Sequence, residues 1–216
     1  MGQKVNPRGF RIGTVFKPSS RWYAAGREYQ RLALQDIKLK RYLTKRLELA
    51  GIVSVDVERS INIINIVLHV SRPGVVIGRG GANLELLKKE IAAFLRTLSE
   101  SEKTKFTLDV KEVKSPDLSA KLVAERISEQ LIKRYPHRRA VSQAQERVMA
   151  AGARGVKIQL SGRIGGAEIG RVEKYTTGTI PSQTLRQEID YAHVPSLTRS
   201  GYVGIKVWIN KGEVDL

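Results

Sequence analysis

The chain has 216 residues, and its 38 Lys and Arg residues outnumber 21 Asp and Glu residues, giving a formal net charge of +17. This excess indicates an anionic partner, most often nucleic acid, while a hydrophobic content of 41% argues against a wholly disordered basic protein. With no cysteine and only three separated histidines, disulfides, thiolate nucleophiles and cysteine zinc sites are excluded, and we expect neither a metal site nor a cofactor. We expect no membrane span or secretion signal, because no sufficiently long apolar run is present.

The first 27 residues are strongly basic and contain no acidic residue. Their positive charges are Lys4, Arg8, Arg11, Lys17, Arg21 and Arg27. Interspersed glycines and prolines, such as Gly9 and Pro18, prevent a sustained helical or strand period. The pattern predicts an extended basic arm over residues 1–27 that lies along phosphates, with a disordered solubilising tail as the alternative.

The segment after the arm predicts one helix and two strands. Leucines at three- and four-residue spacing predict a helix over residues 28–50, and Gly51 follows as a natural stop. Alternating valines predict a half-buried strand at residues 53–57. The β-branched run 61–70 predicts a strand covered on both faces, with His69 packed in the core.

A glycine loop, a second helical segment and a third strand complete the first domain, which we place at residues 28–115. Leu84 and Leu98 bound the apolar stripe of the helical segment, and apolar residues alternate with polar ones over residues 106–110. Ser115 and Pro116 then mark the domain boundary, because serine caps helices and proline suits their first turn.

Residues 116–216 predict a second domain of helices packed on a mostly antiparallel sheet. Two helical segments, interrupted at Pro136, precede strands with alternating apolar residues at 156–160 and 203–209. Trp208 has the opposite parity to its apolar neighbours, so we expect it on the other face, where it covers a neighbouring protein or stacks on a base. The whole chain is therefore predicted to be a two-domain α+β protein.

The most informative motif is the loop Val75-Val76-Ile77-Gly78-Arg79-Gly80-Gly81. Gly78 and Gly81 frame a GxxG pattern, in which a backbone without Cβ atoms approaches a ligand closely while the N–H groups of the next helix favour an anion. Arg79 adds a positive charge. A P-loop is excluded because Ala82 stands where lysine is needed, and the dinucleotide fingerprint is excluded because Asn83 replaces its third glycine.

The order of elements around this loop, α-β-β-α-α-β, matches a type II KH domain. In such domains the GxxG loop clamps single-stranded nucleic acid. The alternative is a glycine-rich turn that only connects two elements.

Four separated motifs extend this match over nearly the whole chain, and their order makes a chance match implausible. They are Gly2-Gln3-Lys4-Val5-Asn6-Pro7 with Arg11-Ile12-Gly13, Arg72-Pro73-Gly74-Val75-Val76-Ile77-Gly78, Ser161-Gly162-Arg163-Ile164-Gly165-Gly166-Ala167-Glu168-Ile169, and Gly204-Ile205-Lys206-Val207-Trp208-Ile209-Asn210-Lys211-Gly212-Glu213. Together they resemble the bacterial or organellar small-subunit ribosomal protein S-three family.

The resemblance implies a structural protein without chemistry of its own in the head of the small ribosomal subunit, in a cytoplasmic or an organellar ribosome. Its implied partners are ribosomal RNA, neighbouring head proteins and the messenger RNA (mRNA) whose path into the subunit it lines. No membrane or small-molecule substrate is implied. The residues implied to contact RNA are Lys4, Arg8, Arg11, Gly78, Arg79, Gly80, Gly81, Arg138, Arg139, Arg163 and Arg171. Among these, the resemblance assigns Arg138 and Arg139 to the mRNA.

The chain departs from the family pattern at two places. Many relatives have two further basic residues where Ser142 and Gln143 follow Arg138-Arg139-Ala140-Val141, so the cluster facing mRNA is thinner here. Within the glycine loop only Arg79 is charged, which predicts a weaker phosphate clamp.

Two other classes of function are alternatives to the ribosomal one. A free-standing KH regulator would usually carry more than one GxxG loop to gain avidity, and this chain has one. A nucleic-acid enzyme such as a lyase or nuclease needs a carboxylate cluster, a positioned histidine or an activated lysine; no such cluster is legible, and a lone lysine nucleophile stays open.

Overall fold

The structure is a computed structural model that describes residues 3–60, 63–98 and 105–214. It divides into two compact units. We call Pro18–Lys114 the central unit, and Met1–Lys17 together with Ser115–Leu216 the terminal unit. In chain order, the elements are α1 (Pro7–Phe10), β1 (Ser20–Arg21), α2 (Gly26–Arg46), β2 (Ile52–Arg59), β3 (Ile63–Val70), α3 (Pro73–Ile77), α4 (Ala82–Leu98), β4 (Lys105–Glu112), α5 (Ala120–Ile132), α6 (His137–Ala150), β5 (Gly155–Gly162), β6 (Arg171–Gly178), β7 (Gln187–Thr198) and β8 (Gly201–Glu213).

The central unit confirms the predicted order of one helix, two strands, two helices and one strand, formed by α2, β2, β3, α3, α4 and β4. Its sheet has the order β1-β2-β3-β4, in which β2 and β3 are antiparallel and β4 runs parallel to β3. The helix α2 ends at Arg46, before the predicted end at residue 50, and Glu48–Ala50 form a separate 3₁₀ turn that stops at Gly51, whose φ is left-handed at 65°. The core residues that α2, the strands and α4 contribute include Leu39, Leu43, Val57, Ile66, Leu68, Leu87 and Ile91.

The strand β3 is buried on one face only, which corrects the prediction of a strand covered on both. Ile64, Ile66 and Leu68 are buried, while the residues between them are partly exposed. The side chain of His69 retains 31% of its exposure, and its Nε2 lies 3.3 Å from Oδ2 of Asp56 on β2. The β-branched residues on the outer face reflect strand propensity rather than burial.

The terminal unit contains the predicted antiparallel sheet, with strand order β6-β5-β8-β7 and α5 and α6 packed on one face. The core between these helices and the sheet includes Val123, Ile127, Val141, Val148, Ile158, Leu160, Ile205 and Val207. Trp208 is only partly buried and pairs in register with Lys157 and Tyr191, so it lies on the face opposite the core as its parity predicts.

The N-terminal segment is folded rather than extended, which corrects the prediction of a basic arm. Its first part forms α1, capped by the side chain of Asn6, and α1 contacts β7. Arg11 is fully buried there. Its guanidinium donates hydrogen bonds to the carbonyls of Pro7, Ser182, Thr184 and Gln187 at distances from 2.7 to 3.1 Å. The residue therefore fixes the N-terminus to the loop before β7 and is not available to RNA.

The second part of the predicted arm belongs to the central unit. Residues Ser20–Arg21 pair in parallel with β2, and Lys40 Nζ donates to the carbonyl of Ser19. Trp22 Nε1 donates to the buried carboxylate of Asp36 at 2.7 Å, and Arg59 Nε donates to the same group at 2.9 Å. A buried carboxylate needs such partners, so the carboxylate of Asp36 holds the segment around Trp22 in place.

We predict that Arg11→Ala lowers the free energy of unfolding of the terminal unit by about 3 kcal/mol, because one buried and three partly buried carbonyls lose their donors. Tryptophan fluorescence can follow each unit by itself, since Trp208 lies in the terminal unit and Trp22 in the central unit. Urea unfolding followed through Trp208 in a Trp22→Phe background measures the loss. Lys4→Ala removes the same charge from an exposed position and should cost less than about 0.5 kcal/mol. An equally small effect of Arg11→Ala would contradict the structural role.

Candidate nucleic-acid interface

The glycine loop of the central unit has a backbone that residues with side chains adopt poorly. Gly78, Gly80 and Gly81 have φ values of 71°, 62° and 81° between the end of α3 and the start of α4. A Cβ on Gly78 would lie 2.7 Å from Cγ of Asn83, whose amide donates to the carbonyl of Val75. Gly78 is therefore required both by its conformation and by this close contact.

The outer part of the loop is open to a ligand. A Cβ on Gly80 or Gly81 would meet no atom within 4 Å, so the backbone surface there is uncovered. Arg79 is exposed, and none of the ion pairs found among the described residues involves it. The first N–H groups of α4 follow directly. These features suit a phosphate that passes over the loop.

In the terminal unit, the start of α6 presents two arginines. Arg138 and Arg139 are exposed in its first turn, and no side chain caps this end of the helix. Arg138 also lies beside Tyr175 of β6. Burial and a hydrogen bond to Glu173 raise the pKa of Tyr175, and the charge of Arg138 opposes this shift. Arg139 has no ion-pair partner among the described residues and projects a free charge.

Glu173 on β6 connects several groups near this end of α6. Its carboxylate accepts hydrogen bonds from Tyr175 Oη and Arg171 Nε, each at 2.6 Å, and lies 3.1 Å from His137 Nε2. The hydrogen bond from Tyr175 is the main cause that lowers the pKa of Glu173, so the group stays ionised at neutral pH. The charge of Arg171, one of the predicted RNA contacts, is thus partly compensated within the protein.

The outer face of the terminal unit's sheet combines positive charge with aromatic rings. Lys157 Nζ lies 5.2 Å from the centre of the Trp208 ring, and Tyr191 packs on the same ring at 5.1 Å. Burial lowers the pKa of Lys157, and the charges of Lys4 and Lys174 lower it further. Lys4 therefore belongs to a group of three lysines on this face, which suits both phosphates and stacked bases.

Sequence reasoning missed Lys157 and Lys174 as members of this face. The available signal was parity: Lys157 alternates with the buried residues Val156 and Ile158 on β5. The pairing of β5 with β8, which brings Lys157 opposite Trp208, could not be read from the sequence. Long-range register depends on tertiary packing rather than on local pattern.

The structure places the remaining predicted residues as follows. Arg8 is partly buried, with its guanidinium carbon 5.6 Å above the Phe16 ring. Arg163 is exposed, and its Nε donates to the carbonyl of Ala167 at 2.8 Å. Both lie in the terminal unit, whereas the loop Gly78–Gly81 lies in the central unit. Arg11 alone is buried.

The described part of the chain offers neither a cluster of metal ligands nor a membrane-spanning helix. Within those residues, no group of three or more His, Cys, Asp or Glu side chains could hold a metal ion. The helices found there are all too short or too polar to cross a membrane.

The fold and the site define a class, that of the RNA-binding proteins built on a KH domain. The family model described as "KH domain" matches residues 38–118, and the one described as "Ribosomal protein S3, C-terminal domain" matches residues 127–209. Proteins called "Small ribosomal subunit protein uS3" align over 99% of the chain. The protein of Caldicellulosiruptor saccharolyticus is 44% identical over 94% of its own length. Those of Bacillus cytotoxicus and Lactobacillus delbrueckii subsp. bulgaricus are each 45% identical, over 94% and 92% of their lengths. The chain belongs to the uS3 family of small ribosomal subunit proteins.

We predict that Gly80→Asp weakens binding of a short single-stranded RNA about tenfold, because it adds a negative charge where the phosphate would pass. Gly80→Asn is the matched control, since Asn has the same shape and both residues tolerate this left-handed conformation. It should change affinity less than about twofold. Fluorescence anisotropy with a labelled oligoribonucleotide measures both variants. Equal affinities for Asp and Asn would contradict the assignment of the loop.

Proposed function

We propose that the chain is a structural constituent of the head of the small ribosomal subunit and that it holds ribosomal RNA in place. The observation that carries this proposal is the 42–45% identity to small-subunit proteins over 99% of the chain. The net charge of +17 supports it, because a polyanion is the partner that such a charge requires. On this proposal the protein does no chemistry and works on the ribosome, whether cytoplasmic or organellar.

The RNA contacts are divided between the two units. In the central unit, Arg79 and the open backbone of the glycine loop bind a phosphate. In the terminal unit, the lysines around Trp208 and the exposed arginines Arg163 and Arg171 bind ribosomal RNA. Arg8 joins them at the edge of α1. Arg11 is left out of this set because its donors are occupied by carbonyls.

Arg138 and Arg139 face the mRNA as it enters the subunit. What supports this is their exposure on the first turn of α6, where the helix dipole and free N–H groups add to the positive potential. Ser142 and Gln143 lie one turn further on and are exposed as well. The exposed face of α6 therefore carries two positive charges in its first turn and neutral side chains in the next turn.

Sedimentation of a native lysate tests the proposed function. A tagged copy of the chain should co-migrate with the small subunit through a sucrose gradient at low salt and remain bound at moderate salt. Migration near the top of the gradient at both salt concentrations, as a free 24.1 kDa protein, would overturn the ribosomal assignment in favour of a KH regulator.

Ribosomes that carry Arg138→Glu with Arg139→Glu should translate an mRNA with a stable 5′ hairpin several-fold more slowly, because the charge that holds separated strands is reversed. An unstructured mRNA should be translated at the normal rate. The reciprocal variant Ser142→Lys with Gln143→Arg should speed translation of the hairpin mRNA. If neither pair changes the ratio of the two rates, α6 does not face the mRNA.

A further inference from the structure

A cleft of about 350 Å³ lies in the terminal unit and shares His137 and Arg163 with the contacts described above. It forms where the end of α5 and the start of α6 meet the turn after β5 and the turn between β7 and β8. Its charged and polar lining includes Arg134, Tyr135, His137, Arg163, Arg199 and Ser200. A volume of this size accommodates a small ligand rather than a single water molecule or ion.

The charges around the cleft are of one sign. Arg134, Arg163 and Arg199 line it, and no acidic side chain is among its lining residues. The ion pairs found within the described residues include none of these three arginines. The uncapped start of α6 opens on the same space, at Pro136 and His137. Three guanidinium groups that have no ion-pair partner within the described residues favour an anion in this cavity.

Arg134 adopts a conformation that favours glycine. Among the described residues it is the one non-glycine with a positive φ, at 59°. It sits just after α5, where its N–H donates to the carbonyl of Leu131 and the next N–H, of Tyr135, donates to Gln130. These two hydrogen bonds form a Schellman motif, in which the position of Arg134 is most often glycine. Arginine is less favourable than glycine at this position, and its side chain lines the cleft.

The opposite wall of the cleft is a tight glycine turn. Gly165 and Gly166 have φ values of 66° and 84°, and a Cβ on Gly166 would lie 3.3 Å from Ser200 Oγ. Tyr135 forms another wall and is 42% exposed. The cleft thus combines cations, a glycine turn and one accessible aromatic ring.

We propose that this cleft binds one nucleotide of single-stranded RNA, with its phosphate held by Arg134, Arg163 and Arg199 and its base against Tyr135. The cations select the phosphate, and the exposed ring supplies the stacking surface for a base. The proposal deepens the RNA-binding function proposed above and rests on it. It assigns roles to Arg134, Tyr135 and Arg199, and it places Arg163 beside them in one phosphate site.

Arg134→Gly is the variant that tests the cleft, because glycine suits the backbone while the guanidinium is lost. We expect it to weaken binding of a labelled single-stranded oligoribonucleotide about tenfold and to reduce the slope of log affinity against log salt by about 0.7, as expected for one lost phosphate contact. Its melting temperature should equal or exceed that of the parent chain. Arg186→Ala removes one exposed charge outside the cleft and should weaken binding less than about twofold.

Tyr135→Leu separates stacking from charge. It should weaken binding about tenfold without changing the salt slope, because stacking involves no counterion release. Competition with adenosine monophosphate and with inorganic phosphate identifies the ligand. If adenosine monophosphate displaces the RNA at a lower concentration than phosphate does, the result supports a nucleotide site. Equal displacement by the two would overturn it in favour of a site for phosphate alone.

Different results would contradict the cleft proposal and the proposed ribosomal function. If Arg134→Gly binds the oligoribonucleotide as the parent chain does, the cleft proposal is wrong while co-sedimentation with the subunit still stands. A lower melting temperature for Arg134→Gly with unchanged RNA affinity would show that the arginine is structural. If the parent chain itself neither binds RNA nor co-sediments, both proposals fail together.

Discussion

The excess of positive charge is the constraint that shapes this molecule, because a chain with a net charge of +17 must keep its cations apart or pair them. Two acidic residues each serve more than one partner. Asp36 compensates the nearly buried Arg59, and Glu173 gathers Arg171, Tyr175 and His137. Cations without an ion-pair partner among the described residues lie at the glycine loop, on the outer face of the terminal sheet and at the start of α6, and these places belong to the surface proposed for RNA. The fold holds these cations in place, and RNA supplies the missing negative charge.

The burial of Arg11 shows that a basic residue in such a protein is not always a nucleic-acid contact. Four carbonyls satisfy its donors, which makes burial of the guanidinium tolerable and ties two distant parts of the chain into one unit. Arg134 is the converse case. It occupies a backbone position that favours glycine, and the cleft proposal gives its side chain a function there.

Much of the architecture could be predicted from sequence. Leucine spacing and alternating valines predicted the order of helices and strands in the central unit, and the parity of Trp208 predicted its face of the sheet. Contacts between distant segments could not be predicted: the pairing of Lys157 with Trp208 and the docking of Arg11 against residues 182–187 depend on tertiary register. The prediction that β3 is covered on both faces was wrong, because the high strand propensity of its β-branched residues does not distinguish one buried face from two. The cleft could not be predicted either, because Arg134, Arg163 and Arg199 are far apart in sequence and come together only in the folded unit.

The salt dependence of binding to small-subunit ribosomal RNA tests the central claim most directly. If the unpaired cations neutralise phosphates at several places, log affinity should fall linearly with log salt, and affinity should drop by about a thousandfold or more between 50 and 200 mM salt, as expected for about six or more phosphate contacts. An affinity that changes less than about threefold over this range would contradict the account, because fewer than one phosphate contact would then contribute.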